Sequence, residues 1–272
     1  MDEFILRKNG VYYRTNGFLP HRPTLVFIHG LTGSSSAWIA YENIFENKYN
    51  LLTIDLRGHG KSAKPCRYED YEIGLFAEDV HDILGFLKLK KYIIISHSFG
   101  TLVTLELLYK YEKEVAATIF LSPNFGIKTI WLAHAIKFLI GWCVNISKIF
   151  PCTAKIGWHV DYSKYPNTGD WNLRRMAADI PNTGLRTYLY CLKHIYNFSH
   201  EEYWSKISIP TLIIHGKKDT IVPIKNALGL AGIIKNSKLV ILDNANHIIV
   251  LNNVKEVADA IENFIGNLTK KI

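Results

Sequence analysis

Apolar residues follow two rhythms that alternate through the first half of this chain. Residues 23–29 (PTLVFIH), 49–55 (YNLLTID), 92–96 (YIIIS) and 115–121 (VAATIFL) are short apolar runs closed by turn residues. They are apolar at odd and even positions alike, which predicts strands covered on both faces, as in a parallel sheet. Between them, residues 35–46, 71–87 and 99–111 carry apolar side chains at helical spacing. Parallel neighbours need a crossover, so this alternation predicts βαβ units and an α/β fold with a mainly parallel sheet. Residues 4–13 differ, because Asn9-Gly10 between two apolar stretches predicts an antiparallel hairpin.

The rhythm breaks at residue 123. Up to residue 208, aromatic-rich helical segments follow one another with no convincing strand between them. Alternation then resumes with a strand at 210–215, a helix at 224–234, a strand at 238–242 and a closing helix at 254–268. The pattern predicts one α/β core in two pieces, 1–122 and 209–272, split by a helical cap insertion at 123–208. A chain of 272 residues suits one core with such an elaboration.

Chemistry enters at residues 96–100, Ser-His-Ser-Phe-Gly, where the strand at 92–96 gives way to the helix at 99–111. A sharp strand-to-helix turn strains its central residue, so the positions two before and two after must be small. Ser96 and Gly100 meet that need. Ser98 would then hold its hydroxyl above the carboxyl edge of the sheet, over the positive end of a helix.

This segment resembles the nucleophile elbow of the α/β-hydrolase superfamily, G-x-S-x-G, with Ser96 in place of the first glycine. Four further segments match in order. Residues 29–33 (HGLTG) resemble the family's H-G-x-x-G loop, which implies an oxyanion hole made by the backbone N–H groups of Leu31 and Phe99. Residues 55–62 (DLRGHGKS) resemble its D-x-R-G-x-G-x-S turn, an architectural signature. Residues 216–223 (GKKDTIVP) resemble its acid loop, with Asp219 as the acid. Residues 243–247 (DNANH) place His247 where the family carries its catalytic histidine. The resemblance runs from about residue 24 to 265, excluding the cap, and implies the α/β-hydrolase fold with a Ser98, Asp219, His247 triad. Asp243 is a rival acid, being close to His247 in sequence. His97 is expected to pack and His29 to stabilise its loop. Asn124 stands where some relatives put the acid, and an amide cannot do that work.

A serine hydroxyl is a poor nucleophile at neutral pH and needs a base and an orienting acid. The triad implies a hydrolase acting through an acyl-Ser98 intermediate. It leaves open esters, lipids, thioesters, C–C bonds and N-terminal peptide bonds. An aminopeptidase would need cap acids for the substrate's ammonium; Asp161, Asp170, Asp179, Glu201 and Glu202 show no telling spacing. A non-catalytic small-molecule sensor is a further rival.

Composition narrows the partners. Apolar residues make up 48% of the chain and charged ones 21%, the balance of a globular protein. The formal charge is +8, yet its lysines and arginines are scattered, which argues against nucleic-acid binding and for a solubilising surface or contact with anionic lipid. Cys66, Cys143, Cys152 and Cys191 have neither CxxC nor zinc spacing and are expected to be free thiols of a cytosolic protein. No metal or organic cofactor is implied. The start, Met-Asp-Glu-Phe, lacks the basic and apolar regions of a secretory signal, so a cytoplasmic location is expected. Residues 127–150 are as long as a membrane span but contain Lys128, Lys137 and Lys148. They predict cap helices with an apolar face, or a lid that admits acyl chains or touches a lipid surface. Trp131, Trp142, Trp158 and Trp171 would suit an apolar pocket. The expected substrate is a small-molecule ester with an apolar acyl group.

Overall fold

A computed structural model describes residues 1–124, 131–152 and 155–269. The described residues form one eight-stranded sheet in the order β1-β2-β4-β3-β5-β6-β7-β8. In chain order the strands are β1 (Asp2–Leu6), β2 (Val11–Thr15), β3 (Thr24–Ile28), β4 (Asn50–Ile54), β5 (Tyr92–His97), β6 (Val115–Leu121), β7 (Thr211–Gly216) and β8 (Ser237–Leu242). β1 pairs antiparallel with β2, and β2 antiparallel with β4; every other pairing in the sheet is parallel. This is the mainly parallel α/β sheet that the alternation of apolar rhythms predicts.

The helices of the core are α1 (Ile39–Phe45), α2 (Ile73–Phe86), α3 (Phe99–Tyr111), and, at the far end, α7 (Ile224–Ile233), α8 (Ile249–Asn252) and α9 (Val254–Thr269). Between β6 and β7 lie α4 (Trp131–Ser147), α5 (Leu173–Thr183) and α6 (Leu185–Asn197), with no strand among the described residues there. We refer to this stretch as the insertion.

Strand alternation explains why the central runs are apolar throughout. In β3, Val26 and Ile28 face a core shared with Phe76 and Ile83 of α2 and Leu102 and Leu105 of α3. Leu25 and Phe27, one residue out of phase, face the opposite core with Tyr41 and Phe45 of α1 and Ile261 and Phe264 of α9. Both parities are buried because helices cover both faces.

The cysteine expectation needs correction. Cys66 and Cys152 form a disulfide with their Cα atoms 5.8 Å apart, while Cys143 and Cys191 are free. The partners are separated by 86 residues, and the fold brings the insertion against the loop before α2, so no local spacing could announce the pair. Their thiols therefore give no support to a reducing compartment. Of the segment read as a lid, residues 127–130 lie outside the described residues; the rest is α4 and the turn after it. No described helix is long and apolar enough to cross a membrane.

Candidate active site

Ser98 sits between β5 and α3 with φ 50° and ψ −114°, a left-handed conformation that a non-glycine residue avoids unless its surroundings enforce it. Close packing enforces it here. A Cβ on Gly100 would lie 2.6 Å from the His29 carbonyl oxygen and 2.8 Å from that of Ile28, so only glycine lets α3 start this near β3. Ser96, two residues before the nucleophile position, is fully buried. The Ser98 N–H is held by the Leu121 carbonyl at 3.0 Å.

The three polar residues singled out at strand ends converge. Ser98 Oγ is 2.9 Å from His247 Nε2, and His247 Nδ1 is 2.8 Å from Asp219 Oδ2. A carboxylate only accepts, so Nδ1–H donates to Asp219 and Nε2 is left to accept the Ser98 proton. Asp219 Oδ1 accepts the N–H groups of Ile221 at 2.9 Å and Val222 at 2.7 Å. Burial alone would raise the Asp219 carboxyl, but the His247 ring, the Val222 N–H and the nearby His215 ring outweigh it and hold the group below its ordinary range. The acid therefore stays ionised opposite the imidazole.

The rival acid is elsewhere. Asp243 is 76% exposed and pairs with Lys217 at 2.9 Å on the surface. His97 donates Nε2–H to the His247 carbonyl at 2.9 Å, bracing the histidine loop from behind. Burial and then the neighbouring His247 push His97 down to about 3, so it is neutral. His29 shapes its own loop: Nδ1–H donates to the Gly30 carbonyl at 2.7 Å and Nε2 accepts the Leu56 N–H at 2.9 Å. Burial lowers it too. Leu31 and Phe99 border the same cavity as Ser98, and among the described residues neither backbone N–H has an acceptor.

The cavity above Ser98 has a volume of about 570 Å³. Its floor comes from the core and its far wall from the insertion, including Tyr162, Asp170, Trp171, Arg175 and Asp179. Of the tryptophans weighed for this pocket, Trp171 borders it, whereas Trp142 and Trp158 are more than half exposed elsewhere; the Trp131 side chain lies outside the described set.

The turn at 55–62 explains its own pattern. Asp55 is fully buried and accepts the N–H groups of Ser35 at 2.6 Å and Lys61 at 2.8 Å. Gly60 takes φ 49° with its Cα against that carboxylate, where a Cβ would overlap it. Arg57 grips Asp79 through Nε at 2.6 Å and Nη2 at 2.7 Å, and Ser62 Oγ donates to the Asp55 carbonyl at 2.6 Å. Sequence reading missed the partner from the insertion: His159 Nε2 lies 2.8 Å from Asp55 Oδ2. It weighed Asp170 and Asp179 only as acids to hold an ammonium, and missed that Asp170 reaches both the acid loop and the histidine loop and that Asp179 accepts from Tyr162 Oη at 3.0 Å.

A sequence profile for the α/β-hydrolase fold matches residues 23–254. The chain belongs to the α/β-hydrolase family. Human protein ABHD8 is 24% identical over 246 residues, which cover 89% of this chain and 54% of that protein, so the chain spans about half the length of this curated relative. The pimeloyl-acyl-carrier-protein methyl ester esterase of Wigglesworthia glossinidia brevipalpis is 28% identical over 233 residues, covering 82% of this chain and 86% of the esterase. Among solved structures, a hydrolase from Pseudomonas aeruginosa PA01 superimposes with a TM-score of 0.76 at 16% identity, over 97% of this chain and 98% of that one, a likeness of fold.

Proposed function

We propose that this hydrolase cleaves carboxylic esters with an apolar acyl group through an acyl-Ser98 intermediate, using the triad Ser98, His247 and Asp219. The observation that carries the reading is the unbroken hydrogen-bond chain from Ser98 Oγ through His247 to Asp219 on the floor of the cavity. His247 Nε2 takes the hydroxyl proton as Oγ attacks the acyl carbonyl, and Asp219 holds the imidazole in the tautomer that can do so. The N–H groups of Leu31 and Phe99 receive the developing oxyanion. Collapse expels the alcohol with the proton from His247, and water, deprotonated by the same ring, releases the acid and regenerates Ser98.

The apolar acyl preference rests on the cavity wall, where Leu31, Trp38, Ile180, Leu192 and Val250 stand around the nucleophile. The similarity to a methyl ester esterase supports the ester class. In this reading the insertion acts as a cap over the nucleophile, and its exposed apolar face meets lipid. One observation favours a second reading: Asp179, a buried carboxylate, borders the cavity and could receive the ammonium of an aminoacyl substrate.

The test is turnover of p-nitrophenyl esters from acetate to palmitate and of aminoacyl p-nitroanilides, by the wild type and Ser98→Ala, with fluorophosphonate labelling read by intact mass. Ester turnover with single labelling, both abolished in Ser98→Ala, is the expected result. Full activity in Ser98→Ala overturns the mechanism, and turnover confined to the anilides moves the substrate to the second class.

A further inference from the structure

One carboxylate of the insertion holds both halves of the acid–base pair. Asp170 Oδ1 accepts the backbone N–H of His247 at 2.8 Å. Its Oδ2 accepts the backbone N–H of Thr220 at 2.8 Å and the Thr220 hydroxyl at 2.7 Å. Thr220 follows Asp219 in sequence, and His247 is the base itself. The acid loop and the histidine loop follow different strands, β7 and β8, and Asp170 bridges them from a segment that belongs to neither.

The bridge is itself anchored. Arg175, buried, donates Nη2–H to the Asp170 carbonyl at 2.8 Å and Nη1–H to Thr168 Oγ1 at 2.8 Å. From the core, Asn246 and Asn252 donate their side-chain amides to the Thr168 carbonyl at 2.9 and 2.8 Å. Trp171 Nε1–H donates to Thr220 Oγ1 at 3.1 Å. Asp170 is 6% exposed, and a buried carboxylate is tolerated only where donors replace the water it has lost. Three donors do so here, and all belong to the loops that carry the acid and the base.

We infer that Asp170 is a positioning residue for the triad: it fixes the His247 main chain relative to the Asp219 loop, so the imidazole meets Asp219 and Ser98 at once. This rests on the proposed triad. It makes the insertion part of the alignment of the base as well as a wall of the cavity, because the loop that bridges the triad, through Asp170 and Trp171, also borders the substrate space. A misplacement of about 1 Å in such a pair costs on the order of 100-fold in rate.

The experiment compares wild type with Asp170→Asn and Thr220→Val. Asp170→Asn keeps the shape but sets an amide N–H₂ against donors. Thr220→Val removes one donor and buries no new polar group, so it serves if Asp170→Asn fails to fold. For the proposed ester, kcat falls on the order of 10- to 100-fold in Asp170→Asn and less in Thr220→Val, with KM near the wild-type value and fluorophosphonate labelling slowed by the same factor as kcat. The downfield proton resonance of His247 Nδ1–H, read without any substrate, broadens or moves in both variants. Folded variants with unchanged kcat and labelling, or a fall confined to KM, overturn the inference. If the wild type neither labels nor turns over ester, the ester reading fails while the resonance still decides: unchanged in both variants, it overturns the role of Asp170, and displaced, it supports it.

Discussion

Asp179 is a carboxylate kept where water does not reach it freely, with one hydrogen bond from Tyr162 and an Arg175 Nε 3.5 Å away. Burial pushes its carboxyl up to about 6, against the pull of Tyr162 and Arg175. In the unfolded chain the group ionises in the ordinary carboxylate range, near pH 4. Between that range and pH 6 the native state holds its proton while the unfolded state has lost it, so stability falls as pH rises, by about 3 kcal/mol once both are ionised. Asp179→Asn keeps an acceptor for Tyr162 and has no charge to bury. Its melting temperature should exceed that of wild type by several degrees at pH 8 and match it at pH 4, with equal differences at both pH values counting against a buried charge. Asp55 has the opposite sign. Burial would raise it, but His159, His29 and the Ser35 N–H hold it down to about 2, so its contribution is present above the ordinary range and lost only as pH falls toward 2. The convergence of Ser98, Asp219 and His247 was legible because each follows a strand inside a local motif. Asp170, Asp179 and His159 were not, since the side-chain hydrogen bonds of Asp170 and His159 span 50 to 124 residues and no local turn constrains their identity.

Elements were legible where one physical cause fixed them. The central runs read as strands because helices bury both parities, and the Asn9-Gly10 turn does separate β1 from β2, with Gly10 at φ 70°. Less legible was how the insertion is tied down, because that depends on approaches across the fold. Cys66 follows the turn at 55–62, and Cys152 follows α4; their disulfide lies beside two other links, the Asp55–His159 pair and the Lys64 ammonium on the Asn182 carbonyl. Closing an 86-residue separation removes chain entropy from the unfolded state worth roughly 4 to 5 kcal/mol in the chain-entropy account. The double variant Cys66→Ser, Cys152→Ser should unfold at lower denaturant than wild type without reductant, and the two should coincide once dithiothreitol is present. Alkylation under denaturing, non-reducing conditions should count two thiols in the wild type. Coincident curves without reductant, or four thiols, would remove the tether.

At the scale of the whole molecule, one run of exposed apolar residues stands out on the insertion of a chain whose net charge is +8. Phe138, Leu139 and Trp142 of α4, with Ile149 and Phe150 beyond it, are 57 to 80% exposed. Exposed Lys137 and Lys148 lie among them. A soluble surface scatters its large apolar side chains, so this many within thirteen residues makes the segment a candidate contact surface. An amphipathic helix with aromatic residues on one face and lysines at its margin suits the interface of a bilayer, with each lysine adding about 1 kcal/mol where the headgroups are anionic. Sequence could place these residues in one segment; it could not say which would be exposed, because Ile140 and Val144 on the same helix turn inward against the core. If the face meets lipid, the protein should sediment with phosphatidylcholine vesicles containing phosphatidylserine, less with phosphatidylcholine alone, and less again at high salt. Phe138→Asp with Trp142→Asp should leave the protein in the supernatant while turnover of a short soluble ester is unchanged, since these side chains do not border the cavity. Equal sedimentation of variant and wild type would place any lipid contact elsewhere on the surface. A wild type that never leaves the supernatant and elutes as a dimer would assign the face to a second copy of the chain.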